Sequence, residues 1–288
     1  MKRKMKVAFA TCVQLGQSCI QEIYQIGGKL DLLITLNDKK DKEKSGRIYL
    51  DDFAKEKNIS LLKINNINDL EVVQVLKEKA IDWLFIIGWS QIAKETLLDT
   101  PTLGCIGMHP TLLPKGRGRA SIPWAILKGL KETGVSMFKL DTGVDTGAIL
   151  GQIVIPLKEN ETAIELYDKV NQAHIQLISK YWENIINEKV ELLKQNDKDA
   201  TEWLGRKPSD GEITKTMTVE EADRLVRAVT HPYPGAFYID DAQKITIWKT
   251  KTQATLRGDE KVAIQLKNGY LIPLDFEQGV IDEKQVRI

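Results

Sequence analysis

Histidine and cysteine are both scarce, with three of each in 288 residues. The imidazoles are His109, His174 and His231, so the search for a histidine catalyst is short. Cys12, Cys19 and Cys105 form no Cys-x-x-Cys pair and leave one over. That excludes a cysteine zinc site and a disulfide framework, and it fits a reduced cytoplasmic protein. No apolar run approaches the roughly 20 residues that span a bilayer. The longest, Ile81–Trp89, reads as a buried strand. The basic start, Met1–Lys6, lacks the apolar stretch of about 7–15 residues that a secretory signal needs, so a cytoplasmic location is expected. An excess of one charge is missing too: 41 Lys+Arg face 40 Asp+Glu. A nucleic-acid binder driven by charge is thereby excluded, since such proteins need surplus cations for phosphates. What is present is ordinary globular composition, 42% hydrophobic and 28% charged, and not that of a disordered chain. The length predicts one large domain and one small one.

The first 110 residues alternate between strand and helix patterns. Strands are predicted at Val7–Thr11, Leu30–Leu36, Ser60–Ile64, Trp83–Ile87 and Cys105–Met108. Helices are predicted at Gln17–Ile26, Tyr49–Lys57 and Asp69–Lys79, the first stopped by Gly27-Gly28. Strands apolar on both faces and alternating with helices mark a mostly parallel sheet covered on both sides. Ligands of such sheets sit beyond the carboxyl ends of the strands. That rule selects the turn after Thr11, the Gly88–Gln91 stretch, and His109 onward. The polar loop Asn37–Gly46 also follows a strand and reads as a solvated loop or as a cover for a charged substrate.

Two more strands are predicted at Gly134–Leu140 and Ile149–Leu157. Thr162 and Glu165 form a capping box that opens a long helix, whose apolar stripe includes His174 as a core residue. Asn196–Ala200 reads as a linker. Beyond it lie a helix at Val219–Val229 and four short strands, with Asn268-Gly269 as a hairpin signal. The expected division is a catalytic α/β domain at 1–190, a linker at 191–205, and a small, mainly β, OB-like domain at 206–288.

Chemistry concentrates in Gly104–Gly151. His109 ends a strand at the ligand edge. The loop Lys115-Gly-Arg-Gly-Arg119 that follows is either a solvated surface loop or a phosphate-binding one, since Arg117 and Arg119 offer bidentate donors. Asp141 and Asp145 sit in a loop with Gly143 and Gly147, a pattern that turns a carboxylate inward. The late Glu of a calcium loop is absent, so no metal is expected. A carboxylate near a histidine suits proton transfer.

His109-Pro-Thr-Leu-Leu-Pro114 and Asp141-Thr-Gly-Val-Asp-Thr-Gly147 resemble the hallmarks of the N10-formyltetrahydrofolate-dependent formyltransferases. Ile122–Ile126, Glu132–Val135, Arg206–Gly211 and His231–Phe237 extend the resemblance over nearly the whole chain. It implies a Rossmann-like catalytic domain and formyl transfer from N10-formyltetrahydrofolate to an amine. By the same resemblance His109 is the acid/base and Asp145 fixes its protonation and relays the amine proton. The folate would lie against Gly88, Trp89, Ser90, Gln91 and Ile92, with Leu113, Asp141, Thr142 and Val144. Lys115, Arg117, Gly118, Arg119 and Trp124 would meet the acceptor. One position departs: the family has Asn two residues before the histidine, and this chain has Gly107. Such a donor to the developing oxyanion is worth roughly 2.7–4 kcal/mol. Gly107→Asn is expected to leave the fold intact. Thr142 stands where Glu is usual.

The acceptor is narrowed by charge. Arg206 to Ile288 holds thirteen basic and thirteen acidic residues, which argues against a tRNA-binding surface. The Lys-Gly-Arg-Gly-Arg loop and compact C-terminal region are more like the sugar N-formyltransferases, whose acceptors are nucleotide-linked amino sugars. Their diphosphate suits Arg117, Arg119 or the Lys39–Lys44 loop. Methionyl-tRNA formylation and a non-catalytic folate or nucleotide-sugar binder are the alternatives. Similar enzymes are commonly homodimers; no membrane partner is expected.

Overall fold

The computed structural model describes residues 3–39, 46–240, 243–258, 260 and 262–280. The chain divides into two compact units: Met1–Gly118, Thr133–Ile155 and Lys169–Glu202 form one, and Arg119–Glu132, Pro156–Asp168 and Trp203–Ile288 the other.

The first unit begins with β1 (Val7–Ala10), α1 (Gln14–Gln25), β2 (Leu32–Leu36), α2 (Asp51–Lys57), β3 (Ser60–Ile64), α3 (Leu70–Glu78), β4 (Trp83–Ile86), α4 (Glu95–Leu98) and β5 (Gly104–His109). The chain continues through β6 (Arg117–Gly118), α5 (Ser121–Leu127), β7 (Glu132–Lys139), β8 (Ile149–Pro156) and α6 (Ala163–Ile186). The sheet order is β3-β2-β1-β4-β5-β7-β8. Pairing is parallel from β3 through β5, and β7 then runs antiparallel to β5, with His109 opposite Ser136. The strand order reverses between β1 and β4, the place where open α/β sheets bind ligands.

Two-sided burial explains the apolar strands. Side chains alternate across a strand, so Ala8 and Ala10 face one way and Phe9 the other. The first face packs on Val72, Val73 and Leu76 of α3 and on Leu97 and Leu98 of α4. On the second face Phe9 stacks on Phe85, with ring centroids 5.6 Å apart, and Phe85 meets Trp182 of α6 at 5.9 Å. Burial of such a side chain stabilises by about 1.5–3 kcal/mol. The helix α6 opens as its sequence predicts: Glu165 accepts from the Thr162 amide at 3.0 Å and the Glu165 amide donates to the Thr162 hydroxyl at 3.4 Å. Among the described residues no helix is long and apolar enough to cross a membrane.

The second unit holds β9's Trp203 (β9 is Glu202–Trp203), α7 (Val219–Val229), β10 (Ala236–Asp240), β11 (Gln243–Gln253), β12 (Ile264–Leu266) and β13 (Gly269–Val280). Its sheet is antiparallel, in the order β10-β11-β13-β12. A hairpin forms at the Asn268-Gly269 signal, but Leu266 pairs with Gly269 and the two-residue turn is Lys267-Asn268, one residue earlier than Asn-Gly at the central turn positions would place it. Asn268 also caps α7, its side-chain oxygen accepting from the Val219 amide at 2.9 Å. The unit also takes in α5 and the start of α6, which precede the predicted linker in the chain.

The three cysteines are free and buried. Burial pushes the Cys105 thiol up to about 12 and raises that of Cys19 further, so neither is a nucleophile. His174 is a core residue, as its stripe predicts: it is 1% exposed, and its Nδ1 donates to the Val170 carbonyl at 2.8 Å. Burial lowers its pKa from 6.5 to about 4; the Val170 hydrogen bond opposes that fall and the charge of His109 adds to it. Between these two values the unfolded chain binds a proton that the folded chain refuses. The group's contribution is therefore whole above pH 6.5 and is lost as pH falls. The loss amounts to about 3 kcal/mol near the folded value. We expect His174→Gln to flatten this part of the pH dependence of the urea midpoint. An unchanged slope would place that dependence in other groups.

Candidate active site

The site is built around the carboxyl end of β5. His109, its last residue, is 8% exposed. Its Nε2 lies 2.8 Å from the Gly116 carbonyl. A carbonyl only accepts, so Nε2 carries a hydrogen. Nδ1 faces Asp145 Oδ2 at 3.5 Å. In a neutral ring that nitrogen holds the lone pair, and a proton taken there makes an imidazolium paired with the carboxylate.

Asp145 is aimed by its loop. Its φ is +55°, a left-handed conformation that aspartate tolerates better than most residues. Its Oδ2 accepts from the Gly118 amide at 2.9 Å. Gly147 closes the turn, and a Cβ there would lie 1.7 Å from the Lys139 carbonyl oxygen, so only glycine fits. Asp141 caps the same loop: its Oδ1 accepts from the Gly143 amide at 3.1 Å and the Thr146 hydroxyl at 2.6 Å.

A segment predicted to be linker completes the arrangement. Leu193 is tied to Ile149 by two backbone hydrogen bonds of 2.8 Å. The Gln195 side-chain amide then donates to the carbonyls of Asp145 at 2.8 Å and Gly147 at 2.7 Å. Its Oε1 accepts from Arg117 Nε at 3.2 Å and Nη2 at 2.8 Å, and Nη2 also reaches Asp197 at 2.8 Å. No motif marks Gln195 or Asp197 in a polar stretch, and sequence reasoning missed both.

Two residues expected to meet the acceptor are engaged within the protein. Arg117 has a side chain only 8% exposed, with its guanidinium committed to Gln195 and Asp197. It is an internal brace, not a surface fork for phosphate. Gly118 directs its amide at Asp145. Lys115 is exposed, as expected. Arg119, also exposed, and Trp124 belong to the second unit. There the Trp124 indole donates to the Leu204 carbonyl at 2.8 Å and its face carries Arg206 at 5.1 Å. Residues 40–44 of the Lys39–Lys44 loop lie outside the described residues.

The residues expected to hold folate fall into two groups. Gly88, Trp89, Ser90, Gln91 and Ile92 follow β4, with Ser90 and Ile92 exposed. Gln91 has its side chain occupied: Oε1 accepts from the Ile67 amide at 2.8 Å and Trp89 Nε1 at 3.1 Å, and Nε2 donates to Asn65. It shapes the loop. Val144 is exposed beside Asp145, whereas Asp141 and Thr142 line a cleft of about 360 Å³ with Gly104, at the amino end of β5. Leu113 is 3% exposed and part of the wall, its amide donating to Ser136 Oγ at 3.0 Å. Ile92 and Val144 are 68% and 53% exposed. No group of side chains among the described residues is arranged to hold a metal.

The family model described as "Formyl transferase" matches residues 5–181, and "Formyl transferase, C-terminal domain" matches 206–284. A bifunctional polymyxin resistance protein ArnA from Wigglesworthia glossinidia brevipalpis is 31% identical over 86% of this chain, which spans 38% of that protein's length. A methionyl-tRNA formyltransferase from Clostridioides difficile is 30% identical, over 86% of this chain and 80% of its own. Among solved structures, an N-formyltransferase from Helicobacter canadensis, in complex with folinic acid and dTDP-3-aminofucose, shares the fold. Its TM-score is 0.70 at 22% identity, over 95% of this chain and 100% of that one.

Gly107 lies two residues before His109 and so on the same face of β5. A Cβ built there would lie 2.7 Å from Leu140 Cδ2. The glycine makes room for Leu140, which packs against the core on both sides of it. The expectation that Gly107→Asn is tolerated therefore holds only if Leu140 turns aside. We expect Gly107→Asn to cost about 1–3 kcal/mol by overpacking. Added to Leu140→Ala, it should cost less than alone, which a double-mutant cycle in urea measures. Strict additivity would show that Leu140 is not the obstacle.

Proposed function

This chain belongs to the formyl transferase family, and on that premise we propose that it moves the formyl group of N10-formyltetrahydrofolate to the amine of a nucleotide-linked amino sugar. The observation that carries the chemistry is the His109–Asp145 pair, 3.5 Å apart at the carboxyl edge of the sheet. An amine that attacks a formyl carbon must shed a proton. His109 Nδ1 takes it, Asp145, held by the Gly118 amide, stabilises the resulting imidazolium, and the proton would pass on to N10 as the formyl–N10 bond breaks and tetrahydrofolate leaves. The Gly116 carbonyl keeps the ring from turning. When bound, the folate supplies the activated formyl group, and the exposed faces of Ile92 and Val144 are the surfaces proposed for its ring. Position 107 offers no side-chain donor.

The choice of sugar over tRNA rests on three supports. The residues from Arg206 onward are charge-balanced, and tRNA affinity needs many cation–phosphate contacts. The ligands of the Helicobacter protein belong to the donor and acceptor classes proposed. Lys115 remains an exposed cation for the acceptor's diphosphate. The three free thiols fit the reducing cytoplasm. The identity to methionyl-tRNA formyltransferases favours the second reading.

The test is to incubate the protein with N10-formyltetrahydrofolate and a panel of nucleotide-linked 3-amino and 4-amino sugars, with methionyl-tRNA separately. Mass spectrometry then looks for one added formyl group. We expect product on a sugar, and a loss of about 100-fold or more in His109→Ala. Product on tRNA alone would replace the sugar reading, and full activity in His109→Ala would overturn the mechanism.

A further inference from the structure

We propose that Gln195 is a positioning residue for Asp145 and that Arg117 is the brace that holds Gln195 in place. This rests on the formyl-transfer reading of the His109–Asp145 pair.

The inference comes from a closed circuit of hydrogen bonds. Gly116, Arg117 and Gly118 are consecutive. The first offers its carbonyl to His109, the third its amide to Asp145, and the second sends its guanidinium behind the Asp145 loop. Gln195 joins that guanidinium to the loop. One nitrogen of its amide holds two carbonyls, those of Asp145 and Gly147, at 2.8 and 2.7 Å. These carbonyls flank the turn whose left-handed residue is Asp145 itself, at φ +55°. The orientation of Gln195 is set because Oε1 must face the guanidinium, which only donates. The amide hydrogens are thereby turned to the loop. Arg117 is in turn held by its amide on the Thr201 carbonyl at 2.9 Å, and the Gly116 amide reaches Thr201 Oγ1 at 2.8 Å.

Without Gln195, two carbonyls lose a donor together and the buried guanidinium keeps only Asp197. The loop then loses this tie, and the carboxylate, held by the Gly118 amide alone, can shift from Nδ1. Displacements near 1 Å at a reacting pair lower rates by about 100-fold. Gln195 does not touch His109, so its action has to pass through Asp145.

The experiment uses the intact protein labelled with 15N-histidine. With three histidines, each ring is assigned by substitution. At neutral pH we expect Asp145→Asn to displace the His109 ring nitrogen signals. Gln195→Met, which keeps the shape and removes the hydrogen bonds, should displace them the same way, with the His231 signals unmoved. Arg117→Met should act like Gln195→Met, and Arg117→Lys, which keeps the cation, should displace them less. Where Gln195→Met fails to fold, as read by the unfolding midpoint, the Arg117 pair carries the same test. In the same samples, turnover of N10-formyltetrahydrofolate with dTDP-3-aminofucose should fall about 10–100-fold in kcat for Gln195→Met, with KM little changed. His109 signals left at their wild-type positions by Gln195→Met, while Asp145→Asn moves them, would overturn the proposal, as would full turnover in that variant. A wild-type protein that formylates no acceptor would remove the formyl-transfer reading and leave the ring-signal test standing.

Discussion

A guanidinium with 8% of its side chain exposed has to be met on every side by acceptors, and the site is organised by how Arg117 is met. Burying a charge without partners costs several kcal/mol, and breaking such a set by removing one partner costs about 3–5 kcal/mol. Arg117 has Gln195 and Asp197, both from one short segment far along the chain. The segment therefore has to return to β6, whatever its own preference for solvent. Once it does, the same Gln195 that satisfies the cation holds the Asp145 loop. The residues on either side of Arg117 hold the two members of the His109–Asp145 pair. Folding energy and catalytic geometry thus share one set of hydrogen bonds.

The parts of this molecule that periodicity controls were legible. Strands such as Ser60–Ile64 and the helix at Val219–Val229 fall where the residue pattern puts them, because burial on one or both faces leaves a spacing of two or of three to four. The capping box at Thr162 was legible for a different reason: its side chains answer backbone groups next to them in the chain. Arg117 and Gln195 were not. An Arg in a Gly-rich loop looks the same whether it faces a phosphate or a glutamine from 78 residues away. A Gln followed by Asn-Asp-Lys-Asp reads as solvated, since nothing local shows that its partners are buried. The antiparallel turn of β7 was hidden likewise, because strand direction leaves no mark on apolar alternation.

Gly107 has a structural cause distinct from its chemical consequence. Position 107 points with His109 toward the reacting face, and Leu140 follows directly on β7. Its side chain occupies the space a Cβ at 107 would need. Two neighbouring choices are therefore coupled: a small residue on β5 permits a large one after β7, and the large one excludes a polar side chain on β5. Leu140 in that space packs with Leu113, Phe138 and Ile149 and joins them to the sheet. The chemical consequence is that position 107 brings no side-chain donor to the developing negative charge. Any compensation has to come from another position.

Family membership sets the reaction, and it leaves the acceptor to parts of the surface that the reacting pair does not touch. The two kinds of similarity divide here. Identity of 30% is to a protein named for tRNA, while the shared fold at 22% identity is with one holding a nucleotide sugar. Neither number is an affinity. The physical difference between those acceptors is the count of phosphates: a tRNA presents them along its length, a nucleotide sugar presents two. A protein making six to ten phosphate contacts loses about 1,000- to 100,000-fold in affinity between low and moderate salt, and it needs surplus cations to make them. A stretch with thirteen charges of each sign has no such surplus. Two phosphates need only one or two well-placed cations, which a neutral surface supplies without a basic field. The proposed smaller acceptor thus makes the lighter electrostatic demand on this chain.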